Sequence, residues 1–197
     1  SAPAPAAGLM TAPVARGSVE ETVLASGTLK PSRLVAVGSQ ASGRILSLKA
    51  VLGQQVRKGD LIAQIDSVTQ ENALRTAEAS LANMRAQKAE KEATLVLNEQ
   101  TLARQRTMVA QRAVSQADFE AAEAQVKVSR AQLAALDAQI MSAQVAVDTA
   151  RANLGYTRIT APTDGTVLAI VAQEGQTVNA TQSAPTIAIL GQLDVMT

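Results

Sequence analysis

The chain has 197 residues, of which 47% are apolar, so it can bury one core of ordinary domain size. It contains no His, Cys or Trp, which excludes His- or Cys-based catalysis, thiolate or imidazole metal sites and disulfides. Its formal charge is only +1, which argues against nucleic acid as a partner. We therefore expect a protein that is not an enzyme and has no catalytic residue, cofactor or metal.

The first eleven residues, 1–11, are rich in Ala and Pro and are expected to form a tether. No stretch of the chain approaches 18 consecutive apolar residues, and no basic segment followed by an apolar one opens it. The sequence therefore predicts neither a membrane-spanning helix nor an export signal.

The positions of the helix breakers predict a long helical segment. All eleven Gly and all six Pro lie outside residues 60–154. Gly and Pro cost about 1 and about 3 kcal/mol, respectively, inside a helix. The segment without them is rich in Ala, Gln, Glu, Lys and Arg. We therefore expect residues 67–155 to be helical.

Two apolar heptad repeats that are out of phase predict that this segment folds back on itself. The first repeat has one polar member, Lys88, and the second has a companion row three residues further on. Apart from Lys88, the members of these three rows are, in order, Leu74, Leu81, Leu95, Leu102 and Val109; Phe119, Val126, Leu133, Ile140, Val147 and Leu154; and Ala122, Ser129, Leu136, Ala143 and Ala150. Such seams are typical of a coiled coil, here an antiparallel hairpin with its turn near 110–115.

Candidate start signals for the two helices agree with this division. Ser67 with Gln70, and Ser115 with Asp118, have the spacing of a helix N-cap and its partner at the third helical position. Each helix would contain about 40 residues and measure about 60 Å. Such a hairpin is either a spacer with a purely structural role or an extended docking arm.

The segments on either side of the hairpin form an internal repeat. Residues 31–66 and 156–191 share six positions at an offset of 122, and Ile62-Ala63 matches Ile187-Ala188 at an offset of 125. The six matches are Gly43 to Gly165, Ile45 to Val167, Leu48 to Ile170, Gly53 to Gly175, Gln54 to Gln176 and Val56 to Val178. Each copy is too small to bury a face alone, so we predict that both pair into one flattened β-sandwich. The second copy carries three extra residues.

The two glycine-matched halves resemble the lipoyl/biotinyl carrier fold. A carrier has a tight turn with a modified Lys where Asp66 and Ser67 here lead into the helix, which argues against a carrier. A lipoyl-like domain split by an α-hairpin is the arrangement of periplasmic adaptors, or membrane fusion proteins, of Gram-negative efflux pumps. Four segments resemble the MacA type, to which PvdR-type siderophore adaptors are similar: residues 16–27 (RGSVEETVLASG), 38–43 (GSQASG), 154–162 (LGYTRITAP) and 174–178 (EGQTV).

This resemblance implies an α+β fold, a lipoyl-like β-sandwich split by a long antiparallel coiled-coil hairpin, in a chain that stops where a β-barrel domain begins. Residues 12–30 would be a strand segment of the membrane-proximal or barrel region, and residues 192–197 the start of the barrel. It also implies a periplasmic homo-hexamer, tethered to the inner membrane, that connects a MacB-like ABC transporter to a TolC-like outer-membrane channel. The exported small molecule would be a macrolide-like drug or a siderophore. The alternatives are an adaptor for type I protein secretion, an RND-pump adaptor and a structural coiled-coil protein.

The resemblance also implies two functional sites. The family's channel contact at the hairpin tip is an Arg, a Leu four residues later and a Ser eleven residues after the Arg, and Arg104, Met108 and Ser115 have this spacing. Met in place of Leu keeps the side chain apolar and of similar volume. Gln182, in the three-residue insertion, matches a Gln that forms a gate around the hexamer's pore. The alternatives are an N-cap for Ser115, a solvated face for Arg104, hairpin packing for Met108 and a polar turn for Gln182.

Overall fold

The computed structural model describes residues 1–3, 12–18 and 33–192. The chain divides into a short first unit, residues 1–30, and a second unit that contains the rest. Within the first unit, the described residues form neither helix nor strand.

Parts of four predicted segments lie outside the described residues. They are residues 4–11 of the expected tether, 19–30 of the expected N-terminal strand segment, 31–32 of the first half of the β-sandwich and 193–197 of the expected start of a β-barrel. Residue Gln192 is the last described residue and ends a strand.

The second unit contains a β domain that is interrupted by a helical hairpin. In chain order, its described elements are β1 (Arg33–Gly38), β2 (Gly43–Leu48), β3 (Gln55–Val56), β4 (Leu61–Ile65), α1 (Val68–Ala110), α2 (Gln116–Gly155), β5 (Arg158–Thr160), β6 (Gly165–Ile170), β7 (Thr177–Val178) and β8 (Thr186–Gln192). The predicted fold class, a β-sandwich split by a long α-hairpin, is confirmed.

Each sheet of the β domain takes two strands from each half of the chain. The strand orders are β1-β8-β6-β3 and β5-β4-β2-β7, and every neighbouring pair is antiparallel. Each strand of one sheet has a counterpart in the other sheet whose number differs by four: β1 corresponds to β5, β8 to β4, β6 to β2 and β3 to β7. The internal repeat is therefore a pseudo-two-fold relation in which the halves exchange strands, and neither half supplies a complete sheet.

Individual hydrogen bonds repeat with the same offset as the sequence. The Gly53 N–H donates to the Val167 carbonyl at 2.8 Å, and the Gly175 N–H donates to the Ile45 carbonyl at 2.8 Å. Donor and acceptor both move by 122 residues between these two bonds, in opposite directions. Each half therefore satisfies a backbone carbonyl of the other.

Aliphatic side chains from both halves fill the space between the sheets. The largest fully buried ones are Ile45, Ile62, Ile65, Ile187 and Leu190. Complete burial of an Ile or Leu side chain contributes about 1.5–3 kcal/mol. The core consequently needs no aromatic residue, which agrees with the composition.

Strands β4 and β5 hold the two ends of the hairpin side by side. They are antiparallel neighbours that pair Gln64 with Arg158, and the Ile65 N–H donates to the Thr157 carbonyl at 2.8 Å. Thr157 is buried, and its Oγ1 donates to the Leu154 carbonyl at 2.6 Å. Strand pairing therefore continues directly into helix pairing.

The two helices pack along the predicted seams. The buried residues of α2, all from its two predicted rows, are Val126, Ser129, Leu136, Val147 and Ala150, and Leu81 is buried on α1. A second, largely polar row on α1 was not predicted from the sequence. Its members are half-buried: Gln70, Ala77, Met84, Lys91, Asn98 and Gln105. One member of this row, Asn98, donates through Nδ2 to Ser129 Oγ at 2.6 Å.

The polar member of the first seam, Lys88, pairs with the opposite helix. Its Nζ lies 2.8 Å from Asp137 Oδ1 on α2 and 3.8 Å from Glu92 Oε1 on its own helix. The hydrogen bond to Asp137 raises the pKa of Lys88, with a further contribution from the Asp137 charge. An ion pair this exposed contributes little to stability, but it lets a charged residue occupy the seam.

The start of α1 corrects one prediction. Ser67 precedes the first helical residue, but its side chain accepts no backbone N–H; its Oγ instead bonds Glu71 Oε1 at 3.1 Å. The reason is its backbone, at φ −107° and ψ 6°, which is not the extended conformation of a capping Ser. Asp66 Oδ1 accepts the Val68 N–H at 3.2 Å in its place, and Gln70 forms no capping box.

Close approach of β6 and β8 makes Gly165→Ala destabilising. A Cβ at Gly165 would lie 2.8 Å from the carbonyl oxygen of Gly191, a backbone atom of β8 that cannot easily move. We expect the free energy of unfolding to fall by about 1–3 kcal/mol, measured by urea denaturation followed by circular dichroism. The matched control is Gly155→Ala, where nothing lies within 4 Å and no loss of stability is expected, because Ala is the better helix former at this helical position. Equal losses would contradict the packing described.

Candidate functional site

The hairpin turn lies at the far end of the hairpin, about 60 Å from the β domain, and comprises residues 111–115. The Gln111 N–H donates to the Thr107 carbonyl at 3.2 Å, and the Ala113 N–H donates to the Met108 carbonyl at 2.8 Å. Arg112 has φ 57°, in the left-handed region that commonly ends helices and favours Gly. These bonds close the tip into a compact turn.

Ser115 is the N-cap of α2, as predicted. Its backbone is extended, with φ −74° and ψ 156°, and its Oγ accepts the Asp118 N–H at 3.1 Å. The Asp118 carboxylate lies in the first turn, where the helix dipole favours negative charge. The cap occupies the hydroxyl as an acceptor, so Ser115 can still donate its proton to a partner.

Arg104 and Met108 lie one turn apart on α1, near the tip. Arg104 is exposed, and Nη2 donates to Thr101 Oγ1 at 3.3 Å. Among the described residues, no carboxylate forms a salt bridge with it. Met108 is half-buried. The tip therefore presents a guanidinium with free donors beside a flexible apolar side chain, a combination that suits a partner with carbonyl or carboxylate acceptors and an apolar groove.

A cation–π contact and an open groove lie just below these residues. The Arg106 guanidinium carbon is 5.9 Å from the centroid of the Phe119 ring, which connects α1 to α2. The neighbouring groove has a volume of about 330 Å³, with Leu102 and Val126 among its lining residues. Its charged lining residues carry both signs: Glu99, Arg106, Glu123, Lys127 and Arg130. Such a surface favours contact with a mixed-charge helix over binding of a small apolar ligand.

Gln182 lies in the loop between β7 and β8, residues 179–185, in the β domain. It is exposed, and its side chain makes no hydrogen bond within the described part of the chain. Asn179 Oδ1 accepts from the Thr181 N–H at 3.1 Å and from Thr181 Oγ1 at 2.8 Å. This Asx turn orders the approach to Gln182 and leaves the amide available to a group outside the domain.

The glutamines of the repeated Gly-Gln turns have a structural role that the sequence analysis missed. Gln54 Oε1 accepts the Val51 N–H at 3.1 Å, and Gln176 Oε1 accepts the Gln173 N–H at 3.1 Å. The preceding glycine has φ 81° in one copy and 84° in the other, where Gly is favoured. The sequence signal that could have revealed this role is that Gln54 and Gln176 match at the offset of 122.

Two other kinds of site are absent from the described residues. Across residues 33–192 and the two short N-terminal segments, no three acidic side chains cluster so as to hold a metal ion. Neither α1 nor α2 contains a stretch sufficiently long and apolar to cross a bilayer. The hairpin tip and the Gln182 loop therefore remain the two candidate sites.

The cap at the tip makes Ser115→Ala destabilising. Loss of the hydroxyl leaves the Asp118 N–H without its acceptor and should lower the free energy of unfolding by about 1 kcal/mol, measured by thermal and urea denaturation. Ser142→Ala is the matched control, because Ser142 is exposed in the middle of α2 and Ala is the better helix former. A Ser115 variant as stable as the Ser142 variant would argue against the cap.

Comparison with known proteins identifies relatives over most of the chain. Residues 33–190 match the family model described as the RND membrane fusion protein barrel-sandwich hybrid domain. The chain is 45% identical over 187 residues to the pyoverdine export membrane fusion protein PvdR of Pseudomonas putida, which covers 95% of this chain and 48% of that protein. It is 40% identical over 193 residues to the macrolide export protein MacA of Escherichia coli O157:H7, covering 98% of this chain and 52% of that protein.

A solved structure shares the architecture. The crystal structure of MacA from Actinobacillus actinomycetemcomitans matches with a TM-score of 0.79 and 40% identity, covering 83% of this chain and 51% of that one. The chain thus spans about half the length of the curated relatives it matches.

Proposed function

Because the chain belongs to the family of RND-type membrane fusion proteins with a barrel-sandwich hybrid domain, we propose that it is part of the adaptor subunit of a tripartite efflux pump. The observation that carries this proposal is the β domain assembled from two exchanged halves, with a hairpin of about 60 Å between them. Such a chain offers a compact base and a distant tip, which is what a bridge between two membranes needs. We propose no catalytic role for it.

The proposed partners sit at the two ends of this bridge. An inner-membrane ABC transporter of the MacB type would lie at the base, and an outer-membrane channel of the TolC type would bind the tip. The adaptor would act in the periplasm of a Gram-negative bacterium, tethered to the inner membrane, as a homo-hexamer. ATP hydrolysis would belong to the transporter, because the chain has no G-x-x-x-x-G-K phosphate-binding loop.

The proposed cargo is a small organic molecule. One matched relative is named for the export of pyoverdine and another for the export of macrolides, and the two identities, 45% and 40%, do not separate these classes. We therefore propose a macrolide-like compound or a siderophore. Residues 12–30 and 192–197 would join a β-barrel region that continues toward the inner membrane.

The proposed tip contact uses three residues that project from two helices. Arg104 would donate to acceptors of the channel, Met108 would fill an apolar groove, and the Ser115 hydroxyl would add a donor. The absence of a salt bridge to Arg104 among the described residues supports this role, since its charge is not already neutralised.

Charge reversal at the tip should abolish docking. Arg104→Asp replaces donors by acceptors at the proposed interface and is expected to reduce channel binding and export at least tenfold, the equivalent of about 1.4 kcal/mol, with circular dichroism unchanged. Co-purification with the channel and an export assay in cells measure these effects. The matched control is Arg85→Asp, an exposed residue in the middle of α1, which should retain both. Full export by the Arg104 variant would rule out its docking role.

Gln182 is the proposed gate residue. Six exposed amides arranged around the axis of a hexamer could hydrogen-bond to one another and close the passage cooperatively. Its exposure and its lack of a hydrogen bond within the described residues support this role.

Removal of the amide should change transport without changing assembly. Gln182→Ala is expected to leave the oligomer intact on size-exclusion chromatography and to allow backflow of cargo, measured as faster re-entry after the transporter is de-energised. Ser183→Ala, at the neighbouring exposed position, is the control and should behave as wild type. A transport profile for Gln182→Ala that equals that of the control would remove Gln182 from the gate.

A second candidate is an adaptor for a proton-driven RND transporter, which the name of the family model favours. The two proposals differ in the transporter that co-purifies with the full-length protein from membranes. An ABC transporter supports the first proposal, and an RND transporter supports the second.

A further inference from the structure

The Gln182 loop is fastened at both ends to the segment between β1 and β2. The Ala180 N–H donates to Ser42 Oγ at 2.9 Å, and the Pro185 carbonyl accepts the Ser39 N–H at 2.9 Å. Ser39 is itself fully buried, with its Oγ donating to the Ala41 carbonyl at 2.6 Å. The residues between Ala180 and Pro185 are therefore held by a hydrogen bond at each end. The bond at Ala180 depends on the Ser42 side chain, whereas the bond at Pro185 is between backbone groups.

The same two bonds occur in the other half of the pseudo-two-fold. The Lys58 N–H donates to Asp164 Oδ1 at 2.7 Å, and the Asp60 carbonyl accepts the Ala161 N–H at 2.8 Å. At the offset of 122, Lys58 corresponds to Ala180 and Ser42 corresponds to Asp164. Ser42 and Asp164 directly precede the matched glycines Gly43 and Gly165. The side-chain bond is thus a repeated feature of the domain.

The three extra residues of the second copy lie between these fastening points. In the first copy, only Gly59 separates the two fastened residues, whereas residues 181–184 separate them in the second. All four of these residues are exposed. An insertion whose ends are held in this way must project from the domain surface, and Gln182 lies within it.

We propose that Ser42 is the positioning residue for Gln182. Its hydroxyl fixes the entry to the projecting loop, so that the amide is presented at a defined place. Without this bond, the Asx turn at Asn179 would restrain the entry less firmly, and the amides of neighbouring subunits would meet less often. This inference rests on the proposed gate, in which Gln182 side chains of adjacent subunits approach one another.

Cross-linking of a single cysteine tests this positioning. The chain contains no Cys, so Gln182→Cys in the full-length protein adds a thiol whose oxidation should link neighbouring subunits in the assembled pump. Adding Ser42→Ala should lower the cross-linking rate about threefold to fivefold, the effect of losing one hydrogen bond. Ser42→Thr keeps the hydroxyl and should restore the rate. The unsubstituted protein provides the background.

The matched control is Asp164→Ala, which removes the equivalent bond in the half that has no inserted Gln. It should perturb the Lys58 turn and leave the cross-linking rate of the Gln182→Cys protein unchanged. Equal cross-linking with and without Ser42→Ala would overturn the positioning role, as would an equal decrease with Asp164→Ala, which would indicate general loosening. Absence of any cross-link in the Gln182→Cys protein would instead contradict the proposed gate.

Discussion

The reciprocal hydrogen bonds between Gly53 and Val167, and between Gly175 and Ile45, join two segments that are 122 residues apart. These bonds require the two halves of the β domain to lie side by side. They can do so because the helical segment between them reverses direction. This requirement explains why α1 and α2 pack antiparallel. It also explains why β4, which leads into the hairpin, pairs with β5, which leads out of it. Tip and base are consequently separated by the full length of the hairpin.

Much of this fold could be predicted, because its determinants are periodic. The absence of Gly and Pro between residues 60 and 154 marks the helical segment, and the loss of phase between the two heptad seams marks its reversal. Matched glycines reveal the two halves of the β domain. The polar row of α1 was missed because no periodic apolar signal marks it; the pairing of Asn98 with Ser129 becomes visible only when the two helices are placed side by side. Capping of α1 by Asp66 rather than Ser67 depends on local dihedral angles that residue identity does not specify.

The candidate sites were predictable from the sequence only through family resemblance. Arg104 and Gln182 are ordinary exposed polar residues, and no spacing within one subunit distinguishes them from a solvated surface. What the structure adds is their setting: Arg104 has no salt bridge in the described part of the chain, and the loop of Gln182 is held by Ser42. The Ser42 contact joins residues 138 positions apart, so only the assembled domain brings it about. The proposed function would therefore depend on surfaces that act together once several copies assemble.

Strand exchange between the two halves is tested most directly by native-state amide hydrogen exchange of the β domain. The N–H groups of Gly53 and Gly175 lie in different halves but each bonds to the other half, so separation of the two halves would expose both. We expect the two amides to exchange with the same opening free energy, and with the same dependence on denaturant. If the amides of one half exchanged at a clearly lower free energy while those of the other stayed protected, the halves would be independent units, and the exchanged β domain would be wrong.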